Sequence, residues 1–254
     1  MTLRLGRIPY LNTEPFFGDD ETRRGCIVAS PREIAHLAQR GEVWLAPLPV
    51  VAAFEFPDLF RPVGPMGIAC AGPVRSVLLK SSVPPEELGG LSIGVINDTA
   101  TSVRLLQVLL RLRYGVDGPI TYRALDAGGD AVLLIGDRAI REGAPSEDYP
   151  VVLDLAAAWK EWTGLPFIFA LWYARPELDA ETEGRMVEYF SESLDRNLAC
   201  PEILWRRRQD LGLSLEQVRD YVAGFEFRIG EDAMRGLRRF KELDSMVHER
   251  GHAA

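Results

Sequence analysis

The sequence predicts an α/β protein built as two lobes. Short apolar or alternating runs interleave with helix-period stretches from Leu3 to Tyr173, the pattern of strands covered by helices. Two of these runs, near Ser76–Lys80 and Phe167–Tyr173, bracket a middle segment of strand-helix-strand units. Beyond Pro176 the pattern is almost wholly helical. The expected division places residues 1–80 and 174–254 in lobe one and 81–173 in lobe two, with crossover strands near 76–80 and 167–173. A ligand cleft between the lobes is then expected, where strands end and helices begin.

Leu3–Ile8 alternates as a strand, and Pro9–Thr13 follows as a turn. Ser30 and Glu33 form a capping box with Pro31 at the first helical position, opening a helix that runs through Arg40 and stops at Gly41. Val43–Ala46 is a buried strand ending at Pro47-Leu48-Pro49, and a short helix covers Val50–Phe54. Ile68–Lys80 reads as two strands around Gly72-Pro73, and Leu91–Ile96 as another. The loop Asn97–Ser102 is rich in N-cap residues and leads into a helix marked by Val103, Leu106, Leu109 and Leu110, with a stop near Gly115. Ile120–Ala124, Ala131–Ile135 and Val151–Leu155 are strands, and Arg138–Glu142 a short helix.

The stretch Trp159–Trp172, WKEWTGLPFIFALW, starts with helical spacing, breaks at Thr163-Gly164 and leaves through Pro166 into the strand Phe167–Tyr173. Gly and Pro at such a corner fix the backbone where elements change direction. Helices are then expected over Glu181–Ala199, Pro201–Leu211, Ser214–Ala223 (a second capping box, Ser214 with Gln217) and Glu231–His248, with a short strand at Phe225–Ile229.

The chain of 254 residues is 47% hydrophobic and 26% charged, with a formal net charge of -8, an ordinary globular balance. An acidic chain without a Lys/Arg-rich run is a poor nucleic-acid binder, whereas a locally positive pocket for a small anion is compatible with it. Cys26, Cys70 and Cys200 are far apart and odd in number, which suits a reducing compartment. His36, His248 and His252 are scattered, so no zinc site and no histidine base is expected. The start, MTLRLGRIPYLN, has no signal-peptide core. No apolar run reaches the roughly 18 residues of a membrane span. A cytoplasmic protein is expected, acting on a small molecule and not on nucleic acid or a membrane; the oligomeric state stays open.

Four segments qualify as chemistry-bearing. Tyr10 to Thr13 leaves the first strand, and Asn12 can both donate and accept; the plainer reading is an Asx-turn. Arg75 offers a bidentate fork for a carboxylate and Ser76 a rotatable hydroxyl; the plainer reading is a surface arginine on an edge strand. Thr99, Thr101 and Ser102 crowd hydroxyls at a helix start, where backbone N–H groups favour anions; the plainer reading is capping by Asp98 or Thr99. Gly136 and Asp137 follow the apolar strand AVLLI, and Asp137 is either an acid–base group or a helix cap. No Ser-His-Asp set, Cys-His pair, phosphate loop or dinucleotide fingerprint is present.

Taken together, RLGRIPYLNTEPFF, GPVRSVLL, NDTATSVRLL, VLLIGDRAI, DLAAAWKEWTGLPFIFALWYAR and FEFRIGEDAMRGLRRFKEL resemble the MqnA/MqnD family of the futalosine route to menaquinone, and within it the MqnA branch, which dehydrates chorismate. The resemblance spans nearly the whole chain, with LLIGD and WTGLPF its most specific segments. It departs at VWLAPLPV, where Trp44 and Leu48 replace an acidic residue and a Pro-Ser step. The resemblance implies a type II periplasmic-binding-protein-like fold and a lyase that converts chorismate to 3-[(1-carboxyvinyl)oxy]benzoate with no redox cofactor or metal. Fitted to that reaction, the residue inventory puts catalytic roles on Asn12, Ser76 and Asp137, and substrate contacts on Tyr10, Arg75, Thr99, Thr101, Ser102, Gly136, Thr163 and Gly164. The proton acceptor is open between Asp137, Asp98 and a carboxylate of the substrate. Two alternatives remain: a non-catalytic solute-binding protein for a small anion, and the sister enzyme acting on cyclic dehypoxanthine futalosine. The latter is expected to use a histidine in the second lobe, and none lies between His36 and His248.

Overall fold

A computed structural model describes residues 3–96 and 99–250, with side chains through 248. Asp98, named above as a cap and a possible base, and His252 lie outside the described residues. The chain divides into two compact units, residues 1–69 with 168–230 and residues 70–167 with 231–254.

In chain order the first unit opens with β1 (Gly6–Arg7), which is followed by a 3₁₀ turn over Leu11–Phe16. Next come α1 (Asp20–Gly25), β2 (Ile27–Val28), α2 (Pro31–Gln39), β3 (Leu45–Pro49), α3 (Val50–Glu55) and β4 (Arg61–Cys70). The second unit contains β5 (Val77–Ser81), β6 (Ser92–Val95), α4 (Thr101–Val108), β7 (Thr121–Ala124), β8 (Ala131–Ile135), α5 (Gly136–Glu142), β9 (Val151–Asp154) and α6 (Leu155–Thr163). The chain returns to the first unit through β10 (Phe167–Ala174), α7 (Ala180–Ala199), α8 (Glu202–Arg207), α9 (Leu215–Ala223) and β11 (Phe225–Arg228). Finally α10 (Glu231–Arg250) belongs to the second unit.

The expected boundaries therefore shift. The run at Ser76–Lys80 is no crossover: β5 is buried along its whole length and pairs antiparallel with both β8 and β9 inside the second unit. The last helix also moves to the second unit, for a visible reason. Phe240, fully buried, stacks edge-on against Phe167 and Trp159 (centroids 4.9 and 6.0 Å), and Asp244 binds Arg104 of α4 at 2.6 Å. Gly236 is required there, because a Cβ would meet the Pro166 carbonyl oxygen at 2.0 Å.

The first unit is built on the sheet β11-β4-β10-β3, with β1 bridged in parallel to β3 at Leu5 and Leu45, and β2 parallel to β1. Its core is aromatic: Trp172 of β10 packs against Phe16 and Phe190, with centroids 5.3 and 4.0 Å away. The second unit carries the sheet β7-β6-β8-β5-β9. The Trp159–Trp172 stretch is thus shared out, its first tryptophan in the core of one unit and its last in the core of the other.

Burial silences two of the three cysteines. Cys26 is buried, which pushes its thiol up to about 11, and the Cys70 thiol lies 2.9 Å from the Gly72 carbonyl. Cys200 is exposed. A thiol reagent followed by mass spectrometry is expected to label Cys200 quickly and the other two only after denaturation. Rapid labelling of Cys26 in the native protein would contradict this packing.

Candidate active site

Parallel pairing sets the second unit's functional edge. β6 runs parallel to β7 and β8, and β5 runs antiparallel to β8 and β9. The carboxyl ends of β6, β7, β8 and β9 therefore share one edge with the start of β5. From that edge the chain leaves β6 through α4 toward β7, and leaves β8 through α5 toward β9 on the opposite side. Adjacent strands whose connections diverge form a topological switch point, where open α/β sheets bind ligands. Arg75-Ser76, Thr99–Ser102, Gly136-Asp137 and Asp154 all lie along this edge.

Among the described residues, no side chain caps the start of α4. Its N-cap residue is Ala100, whose side chain offers no acceptor, so the expected cap from Thr99 does not form. Thr99 instead sits in the preceding turn, its N–H donating to the Ile96 carbonyl at 3.3 Å. Thr101 is 4% exposed, and its Oγ1 is buried without a hydrogen-bond partner among the described residues. Ser102 is buried beside it. Orphan N–H groups, the positive end of the helix dipole and an unused hydroxyl together suit an anion.

Ser76 is 1% exposed; its carbonyl accepts the Gly136 N–H at 2.8 Å, and its Oγ lies 3.4 Å from the Val74 carbonyl. Gly136 has φ 58, a conformation that glycine adopts without strain. That bond occupies its N–H, so Gly136 shapes the edge instead of donating from it. Asp137, 7% exposed, stands in the first turn of α5.

Thr163 and Gly164 do not join this edge. α6 starts there, at its cap Asp154, and nine residues of helix carry the chain about 13 Å away. Thr163 Oγ1 donates to the Trp159 carbonyl at 2.8 Å and accepts from the Leu165 N–H, and Gly164 ends the helix at φ 72. Their work is to close the helix.

In the first unit, Tyr10 and Asn12 follow β1, whose neighbours β2 and β3 both run parallel to it. Tyr10 caps the 3₁₀ turn, and the Thr13 hydroxyl, 2.6 Å from the Ile8 carbonyl and 2.8 Å from that of Tyr10, ties the turn to the strand. Asn12 is half-buried, and its Oδ1 has no hydrogen-bond partner among the described residues. In the same turn Glu14 is fully buried and accepts from Arg7 at 3.0 Å and from Arg23 at 2.6 and 2.9 Å. Burial lowers the Arg7 guanidinium while Glu14 opposes that shift, and the hydrogen bonds that Arg23 donates to Glu14 raise Arg23.

Sequence reasoning missed Glu14 and Asp154. The signal for Asp154 was present: an Asp directly before the helical run LAAAW is an N-cap pattern. Among the described residues no cluster of His, Cys, Asp and Glu has the makings of a metal site, and no helix is long and apolar enough to cross a membrane.

Comparison with known structures places the fold. A protein of Archaeoglobus fulgidus superposes with a TM-score of 0.77 at 18% identity, over 96% of this chain and 97% of that one. The periplasmic aliphatic sulphonate binding protein of Escherichia coli superposes with a TM-score of 0.65 at 13% identity, over 98% of this chain and 87% of its own. The molecule is therefore an α/β protein of the periplasmic-binding-protein-like class. The profile of the menaquinone biosynthesis family matches residues 3–245, and the chain belongs to that family. Chorismate dehydratase of Thermus thermophilus is 29% identical over 237 residues, 84% of each chain.

Proposed function

We propose that this protein is a lyase that dehydrates chorismate to 3-[(1-carboxyvinyl)oxy]benzoate in menaquinone biosynthesis. Family membership and the Thermus relative support the reaction. The observation that supports the site is the start of α4, which no described side chain caps, with the Thr101 hydroxyl buried without a partner among the described residues.

Chorismate carries two carboxylates and a ring hydroxyl. Dehydration removes the proton from the carbon bearing the enolpyruvyl ether and expels the neighbouring hydroxyl as water, and aromatisation drives it. In this reading the N–H groups of α4 with Thr99, Thr101 and Ser102 hold one carboxylate, and Arg75 supplies a cationic fork. Asn12 and Ser76 steady the leaving hydroxyl or the second carboxylate, and Tyr10 supplies pocket wall. Asp137 takes the proton.

Incubation with chorismate, followed by chromatography for the aromatic product, tests the reaction. Product formation supports it; chorismate binding without product would favour a solute-binding role instead. Thr101→Val tests the site. The change deletes a hydroxyl that is buried without a partner, so stability should hold or rise by up to about 1 kcal/mol. A hydrogen bond to a charged ligand is worth roughly 1.5–3 kcal/mol, so kcat/KM for chorismate should fall by about 10- to 100-fold. Unchanged kcat/KM would remove Thr101 from the site.

A further inference from the structure

Arg75 is the single non-glycine residue with a positive φ, 58, among the described residues. A Cβ makes this conformation costly, and it persists only where the surroundings over-determine it. What holds Arg75 is Asp154. The carboxylate oxygen Oδ2 accepts the Arg75 backbone N–H at 2.7 Å, while Oδ1 accepts the N–H groups of Ala156 and Ala157 at 3.0 and 3.1 Å. One side chain thus closes the start of α6 and clamps the turn before β5. The next residue, Ser76, accepts the Gly136 N–H through its carbonyl, and Gly136 shares the left-handed conformation with φ 58. Ser76 thus follows one left-handed residue and is bonded to the other across the β5–β8 pair, and the cap at the end of β9 fixes the first of them.

We infer that Asp154 is a positioning residue of the candidate active site: its carboxylate holds Arg75 in the left-handed turn and so sets the placement of the Arg75 guanidinium and of Ser76 for an anionic substrate. The inference rests on the site reading proposed above. Helix capping alone does not explain the geometry, because Oδ1 suffices for the cap and Oδ2 is spent on a residue 79 positions away. Glycine at position 75 would adopt the turn without strain. An arginine held there at a conformational cost points to a use for its side chain.

Asp154→Ser separates the two roles. Serine is a good N-cap, but it is too short to cap α6 and reach Arg75 together. The variant should stay folded, with hydrogen exchange at the Arg75 amide about tenfold faster or more, as expected on losing a bond to a charged acceptor. Its kcat/KM for chorismate should fall by about tenfold or more on the same ground. The double variant Asp154→Ser/Arg75→Ala should lose less than the product of the two single losses, because both changes act in part through the Arg75 guanidinium. Unchanged exchange at Arg75, unchanged kcat/KM, or losses that multiply in the double variant would each overturn the inference. If Asp154→Ser does not fold, Asp154→Asn gives the same readouts. If the wild-type protein forms no product from chorismate, the proposed function fails, and exchange at Arg75 still decides whether Asp154 clamps the turn.

Discussion

Glu14→Ala is expected to destabilise the first unit by about 3–5 kcal/mol, the loss seen when one partner of a buried ion pair is removed. Glu14 has no exposed side-chain surface, and it faces two arginines whose side chains are only 11% and 20% exposed. Alanine would leave two largely buried guanidinium groups without the carboxylate that both are bonded to. The contrast is with Arg40, which pairs with Glu33 and Glu42 where all three side chains are more than half exposed; Arg40→Ala should cost about 0–1 kcal/mol. At about 2–4 °C per kcal/mol for a chain of this size, the Glu14 change should lower the melting temperature on the order of 10 °C. Calorimetry measures this, and hydrogen exchange should place the loss in the elements around the 3₁₀ turn. A shift no larger than that of Arg40→Ala would mean that the triad is not the anchor of the turn. Because the same turn carries Asn12, a loosened anchor should also slow chorismate turnover.

Local chemistry was legible in the sequence, and pairing was not. The Ser214–Gln217 box closes both of its bonds, as its spacing indicated, whereas the expected Ser30–Glu33 box forms only by half: Ser30 caps α2, and the Glu33 carboxylate pairs with Arg40 instead. AVLLI is a fully buried strand, as its unbroken apolar run indicated. By contrast, the five buried residues of β5 say that the strand is covered, without saying which sheet covers it, and the reading as a crossover failed there. The final helix failed likewise: its apolar stripe fits any core, and the contact of Phe240 with Trp159 joins residues far apart in the chain. The first half of β4 was hidden by Pro62, Pro65 and Gly64, the last at φ 56, which punctuate a strand pattern. At the site, the hydroxyl cluster after β6 was visible, but the place of Ala100 at the N-cap of α4 was not. Three candidate caps precede Ala100, and only backbone geometry shows that α4 begins after all of them.

Asp137→Asn is expected to lower kcat for chorismate dehydration by roughly 10²–10⁴-fold, the usual worth of a positioned acid–base group, with KM little changed. Position along the carboxyl edge of the second sheet is the argument for Asp137 among the described carboxylates. Asp154 is consumed by three N–H donors. Asp126, beyond β7, is exposed at the outer strand of the sheet. Asp130 sits at the start of β8, toward the opposite edge, where it accepts from the Ser92 N–H and hydroxyl. Asp137 is buried in the first turn of α5, directly after the left-handed Gly136 that is bonded to Ser76. Asparagine keeps the size of the side chain and one acceptor oxygen but cannot take a proton, so the fold should survive while turnover falls. Full turnover in a folded Asp137→Asn protein would exclude this assignment. Proton transfer would then fall to Asp98 or to a carboxylate of chorismate. Asp98→Asn separates these: its failure would identify Asp98, and normal turnover in both variants would leave the substrate as its own base.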